Sequence, residues 1–134
     1  MTTSNHYPRL EIDLQKLVDN AACVTAYARE RGIEITGVIK GCNSIVEAGK
    51  AMLKGGCTGL ATSRMDQMRR IREAVPGAQT WLLRIPMLSE IEDVVLLSDI
   101  SLNSEEVTIG KIEEACGRLG KRHGVILMAD LGIF

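Results

Sequence analysis

The chain has 134 residues, is 46% hydrophobic and 25% charged, and carries a formal net charge of −1. That balance excludes a disordered tail and suits one domain or a piece of a larger one. Aromatic residues make up only 3% and positive charge is spread along the chain, so neither base-stacking platforms nor a basic footprint for nucleic acid is expected.

The densest basic group, Arg64, Arg69, Arg70 and Arg72, has the spacing of one solvated helix face. The N-terminus MTTSNHYPRL has no apolar core of a signal peptide, and no apolar run approaches a membrane span. Cys23, Cys42, Cys57 and Cys116 form no CxxC pair, and His6 and His123 lie far apart, so local metal-ligand spacing is absent. The expectation is a cytoplasmic protein with free thiols, no metal and no membrane contact.

In chain order, LEIDL (10–14) reads as a first strand. Residues 14–31 follow as a helix, with Asp13 as N-cap and Gly32 as its end. EITGVIK (34–40) is a β-branched buried strand leading into the loop GCNS. A helix over 45–56 closes on Gly55-Gly56, and GLAT (59–62) is the next strand. A helix over 63–75, with Ser63 as cap, stops at Pro76-Gly77. TWLLRI (80–85) is a strand broken by Pro86; a helix over 89–97 is capped by Ser89. DISL (99–102) is a strand, residues 103–120 a helix whose capping region begins at Ser104, and GVILMADLG (124–132) the final strand.

After the first run, one strand–helix unit therefore repeats about five times, and its strands are continuous apolar runs, as in a parallel sheet covered by helices. A doubly wound sheet and a (β/α)₈ barrel both fit. No GxGxxG follows the first strand, which counts against a dinucleotide-binding version. A complete barrel needs eight units and about 250 residues, so under the barrel reading residues 1–134 are an incomplete barrel domain. The end at Gly132-Ile133-Phe134, two large apolar residues past a strand, agrees with that expectation.

Both architectures place function at the carboxyl ends of the strands. Those positions hold Lys40, Thr62-Ser63-Arg64, Arg84, Asn103-Ser104 and Asp130. Converging on one rim, they would make a basic, hydrogen-bonding pocket. A lysine amine, with its pKa lowered by burial or by cations such as Arg64 and Arg84, can form an imine with an aldehyde. Lys40 equally fits a side chain that snorkels to solvent. Asp130 fits a ligand contact or a partner of its own following loop. Arg84 points into the pocket or lies on its edge, and Asn103 is a ligand contact or a helix cap. Cys42 has no histidine adjacent in sequence to activate it.

YPRLEIDL followed by GVIKG resembles the alanine racemase family of pyridoxal 5'-phosphate (PLP) enzymes, closest to its ornithine racemase branch. LLRIPMLSEIEDVVLLSDISLNSEEVTI and VILMADLG are similar to the same branch, so the resemblance spans residues 7–132. It implies a fold-type III barrel, with LEIDL pairing outside it, and Lys40 as the lysine carrying PLP. It also implies an amino-acid substrate, racemisation through two bases, and a homo-oligomer, a dimer, whose partner subunit gives a tyrosine as second base. Lys40 is followed by Gly41-Cys42-Asn43-Ser44, where alanine racemases carry a tyrosine, and Met128 stands where they carry a lysine. Both departures point away from a strict alanine racemase. In the family the phosphate-binding loops and the group facing the pyridine nitrogen come from later strands and a C-terminal domain. Three other readings remain open: a non-catalytic PLP carrier with the same lysine, a Schiff-base aldolase barrel without PLP, and a half-barrel that self-associates through exposed strand edges.

Overall fold

The computed structural model describes Pro8 and residues 10–132. Tyr7 and Arg9 of the N-terminal segment and the terminal Ile133-Phe134 lie outside the described residues. Elements follow in the order α1 (Leu14–Arg29), β1 (Thr36–Val38), α2 (Val46–Lys54), β2 (Gly59–Thr62), α3 (Met65–Ala74), β3 (Gln79–Leu82), α4 (Ile91–Leu97), β4 (Ile100–Asn103), α5 (Glu106–Leu119) and β5 (Gly124–Leu127).

All five strands are parallel and pair in sequence order, β1-β2-β3-β4-β5. A doubly wound sheet reverses its strand order at a switch point; this one never does. With right-handed crossovers, an order that never reverses puts every connecting helix on one face. α2 packs on α3, α3 on α4 and α4 on α5. The arrangement is that of the first βα units of a (β/α)₈ barrel, as the resemblance implied; the repeat alone left both architectures open.

Strand alternation sorts the side chains into two layers. Ile39, Leu60 and Ile71 form one helix-side cluster, and Met68, Leu82 and Val94 a second; Ile91, Val95, Ile112 and Ala115 pack together between α4 and α5. Across the other face, Val38, Ala61, Trp81, Ile100 and Gly124 stand side by side. Val38 at the first strand is 47% exposed there, and Ile126, one layer nearer the carboxyl edge, 37%. That open face is the side a closed barrel turns inward.

α1 starts where expected. Asp13 accepts the Lys16 N–H at 3.1 Å, and beyond the last turn Gly32 adopts φ 69° while Ile33 N–H bonds back to Ala28 O at 3.0 Å. The expected strand at 10–14 does not form. Leu10 is 77% exposed, residues 10–13 have no strand beside them among the described residues, and Asp13 is committed to the helix cap. The serine caps also differ: α3, α4 and α5 begin after Arg64, Glu90 and Glu105, none with a side-chain cap bond. Each cap falls one residue later than expected, leaving Ser63, Ser89 and Ser104 in the preceding turns. β1, β3 and β5 are shorter than their apolar runs, although single bonds continue their ladders, from Ile39 to Ala61 O, Leu83 to Thr62 O and Met128 to Asn103 O.

α1 docks against the C-terminal end of α2 through Gly55. Thr25 Oγ1 donates to Gly55 O at 2.7 Å, and a Cβ on Gly55 would stand 2.4 Å from Ala21 Cβ and 2.7 Å from Val18 O. Backbone cannot yield as a flexible side chain does. Gly55→Ala is therefore expected to destabilise the protein by about 1–3 kcal/mol, read as a lower midpoint in urea at unchanged slope. An unchanged midpoint would show that α1 shifts without cost.

Candidate functional site at the carboxyl edge of the sheet

β1 is followed by Ile39, whose ψ of 7° leaves the strand, and Lys40 opens a 3₁₀ turn, Lys40–Cys42. Lys40 is exposed at the carboxyl edge. Among the described residues its side chain makes no hydrogen bond or ion pair. A Cβ on neighbouring Gly41 would meet nothing within 4 Å, so space beside Lys40 is open.

The turn then passes through two left-handed residues, Asn43 (φ 51°, ψ 32°) and Ser44 (φ 52°). Ser44 N–H bonds to Ile39 O at 2.9 Å, closing the turn back onto the residue before Lys40. Behind it lies a polar knot that the sequence reading missed. Gln67 Oε1 accepts from Ser44 Oγ at 2.9 Å and from Thr62 Oγ1, and Gln67 Nε2 donates to Asn43 Oδ1 at 2.9 Å. Ser44, Thr62 and Gln67 are all buried. The available signal was Gln67 itself, a polar residue on the same buried stripe of α3 as Met68 and Ile71.

Among the described residues none of the other rim candidates bonds to the Lys40 side chain. Arg64 is exposed and pairs with Asp66 at 2.9 Å. Arg84 Nε donates to Ser63 O at 2.7 Å, and its Nη1 donates to Ile85 O at 3.1 Å and pairs with the Glu90 carboxylate. The Arg84 hydrogen bond holds the Glu90 carboxyl below its usual range against the upward push of burial. Arg84 thus ties the edge after β2 to the start of α4. Asn103 shares the helix-facing side of β4 with Ser101: it is fully buried, donates to Ser101 O and Oγ at 3.1 and 3.0 Å, and leaves Oδ1 without a partner. Asp130 accepts the Gly132 N–H at 2.8 Å, the bond to its own loop weighed from sequence. Cys42 packs against the Ile39 cluster and donates to Ile39 O at 3.3 Å, with no base beside it. Of the basic cluster on α3, Arg69 pairs with Asp93, Arg70 with Asp66 and Arg72 with Asp99. Among the described residues no three His, Cys, Asp or Glu side chains group as metal ligands, and no helix is long and apolar enough to cross a membrane.

A second polar chain backs β4. His123 Nδ1 lies 3.1 Å from Ser98 O, and a carbonyl can only accept, so Nδ1 carries the proton. Nε2 then accepts from Ser101 Oγ at 2.8 Å. Burial pushes the ring's pKa down, against smaller upward effects of the Ser98 carbonyl and Asp99.

This geometry sits within a recognised family: the alanine racemase N-terminal domain matches residues 12–133. The chain belongs to that family. It is 36% identical over 126 residues to an ornithine racemase of Acetoanaerobium sticklandii, covering 94% of this chain and 35% of that protein. It is 32% identical to a lysine racemase of Thermotoga maritima, covering 94% of this chain and 36% of that protein. Among solved structures, the alanine racemase of Streptomyces coelicolor A3(2) superposes with a TM-score of 0.77 at 21% identity, over 90% of this chain and 33% of that one. The chain thus spans about a third of the length of the curated relatives it matches.

His123, just before β5 and so at the opposite end of the strands from Lys40, gives a pH test of the fold. Its folded pKa lies below that of the unfolded chain, so the unfolded state takes up a proton first as the solution is acidified. The stability it contributes is present above about pH 6.5 and is lost as pH falls below that value. The melting midpoint is expected to drop between about pH 7.5 and pH 5.5, and His123→Asn to flatten the drop. Equal midpoints across that window in the unaltered protein would place the ring in solvent.

Proposed function

We propose that this chain is the N-terminal part of a PLP-dependent amino-acid racemase of the ornithine racemase type, with Lys40 as the cofactor lysine. One observation carries the reading. In a family with ornithine and lysine racemases, the second residue after β1 is an exposed lysine at the carboxyl edge, with no hydrogen-bond or ionic partner among the described residues.

The residues fit one end of the cofactor. An aldehyde calls for an accessible primary amine, which Lys40 supplies, and the open space beside Gly41 leaves room for a flat ring. The phosphate calls for N–H and cationic donors. Arg64 and Arg84 stand at the same edge, but each is already paired with a carboxylate. We therefore assign the phosphate contacts to the two thirds of the relatives' length that this chain does not span. When bound, PLP supplies an electron sink for the carbanion left when an amino acid loses its α-proton. Lys40 anchors the cofactor through Nζ, and Nζ holds or returns that proton on one face once the substrate amine has taken its place.

Under this reading residues 1–134 belong to a single barrel domain, the substrate is a small amino acid, and the assembly is a homodimer. Ornithine and lysine are the first candidates, because the two curated relatives carry those names. A cytoplasmic setting belongs to the same reading and is supported by four free thiols.

The test is covalent trapping. The protein is mixed with PLP, reduced with borohydride, digested and mapped by mass. The pyridoxyl mass is expected on Lys40 ahead of the exposed Lys50 and Lys54, and Lys40→Ala is expected to lose the main product. Label spread evenly over the lysines refutes the assignment. Racemisation of L-ornithine, L-lysine and L-alanine, followed by chiral chromatography, separates an enzyme from a carrier, which would trap PLP and racemise nothing.

A further inference from the structure

The turn that presents Lys40 is one the backbone disfavours. Asn43 and Ser44 are consecutive and both left-handed, although neither is glycine. Glycine would adopt this conformation without a steric penalty. A strained pair of this kind persists only where its surroundings over-determine it. Here one side chain makes most of the polar ties, beside a direct contact of 3.2 Å between Ser44 Oγ and Thr62 Oγ1. Gln67 reaches from α3 to grip Asn43 through Nε2 and Ser44 through Oε1, and the same Oε1 is fastened to Thr62 at the end of β2. Arg70 adds only a long contact to Asn43 O at 3.5 Å. Ser44, Thr62 and Gln67 are at most 3% exposed, so water does not compete for the bonds among them, whereas the Asn43 end of the grip lies at the surface. Ser44 N–H in turn holds Ile39 O, and Ile39 directly precedes Lys40.

We propose that Gln67 is a positioning residue for Lys40: by clamping the left-handed pair Asn43-Ser44 to the end of β2, it fixes the turn from which the amine reaches its cofactor. The proposal rests on the reading of Lys40 as the cofactor lysine. It assigns Gln67 no contact with cofactor or substrate. A site held by buried hydrogen bonds has its reacting atom placed before the ligand arrives, and small misplacements of a reacting amine lower its rate steeply.

Two substitutions separate the grip from bulk packing. Gln67→Met keeps length and removes every hydrogen bond. Gln67→Glu keeps an acceptor for Ser44 and Thr62, and a flipped Asn43 amide can donate to it, so all partners stay satisfied. Two quantities are read in each variant: amide exchange across residues 40–45 relative to α5, and the ratio of borohydride-trapped pyridoxyl label on Lys40 to that on Lys50, with PLP as the probe. Lys50 lies exposed on α2 and serves as the internal reference, since a general loss of stability moves both lysines together.

Gln67→Met is expected to speed exchange in 40–45 and to lower the Lys40:Lys50 ratio about tenfold. Gln67→Glu is expected to keep most of that ratio. Should Gln67→Met fail to fold, Asn43→Gly removes one half of the grip while keeping the left-handed backbone, and is expected to lower the ratio in the same direction. If the unaltered protein labels Lys40 and Lys50 equally, the cofactor reading is overturned and this proposal with it. If the unaltered protein favours Lys40 and Gln67→Met leaves the ratio unmoved, only this proposal is overturned, and Gln67 merely fills the core.

Discussion

A strand that runs parallel to its neighbour cannot be reached by a tight turn; the chain must cross back over the sheet first. That constraint governs everything else in this molecule. Each of the four crossovers carries a helix, and because strand order never reverses, the helices share one face. Every strand then ends at the same edge, where side chains have no further ladder to join. Lys40 and the turns that carry Arg64 and Arg84 owe their common location to chain direction alone, before any chemistry is considered. The constraint also explains why the two faces differ: one is filled by Ile39, Leu60, Leu82 and their helix partners, while the other presents Val38 and Ile126.

The helix-side layer is not uniformly apolar. β2, β3 and β4 each turn one hydroxyl toward the helices: Thr62, Thr80 and Ser101, all fully buried. Each is tied to a polar group of a neighbouring segment. Thr62 meets Gln67; Thr80 meets Arg72 and Asp99; Ser101 meets His123. Burial pushes the Asp99 carboxyl up, but the Thr80 N–H at 2.7 Å and Arg72 at 2.8 Å outweigh it and hold the group below its usual range. A buried hydroxyl without such a partner would cost about 1–3 kcal/mol, so each contact fixes one loop against one strand more sharply than apolar packing does. Asn103 Oδ1 is the exception, buried and unpartnered.

Much of the fold was legible in the sequence because the strand signal is local. GLAT at 59–62 opens on a glycine and is followed by a serine, and the structure reproduces it residue for residue. Asp13 is readable as a cap for the same reason: cap and capped N–H lie three residues apart. Caps at Ser63, Ser89 and Ser104 failed because the actual starts are set by tertiary ties. Arg84, for example, bonds both Ser63 O and the Glu90 carboxylate, tying the turn before α3 to the start of α4. The strand at 10–14 failed because a strand is a property of a pair, and one segment's composition does not reveal whether a partner lies beside it. Of the site, Lys40 was legible by position and by resemblance. The Gln67 knot was not, since it joins residues up to 24 apart in sequence.

The sequential strand order has a consequence for how the molecule comes into being. Each strand after the first pairs with the one just before it in the chain, so whenever a new strand leaves the ribosome its partner has already been made. Contacts between adjacent strand–helix units are short in sequence, which lowers the entropy lost in closing them. The sheet can therefore grow by accretion, one strand and helix at a time, with the turn after β1 complete once β2 and α3 have joined it.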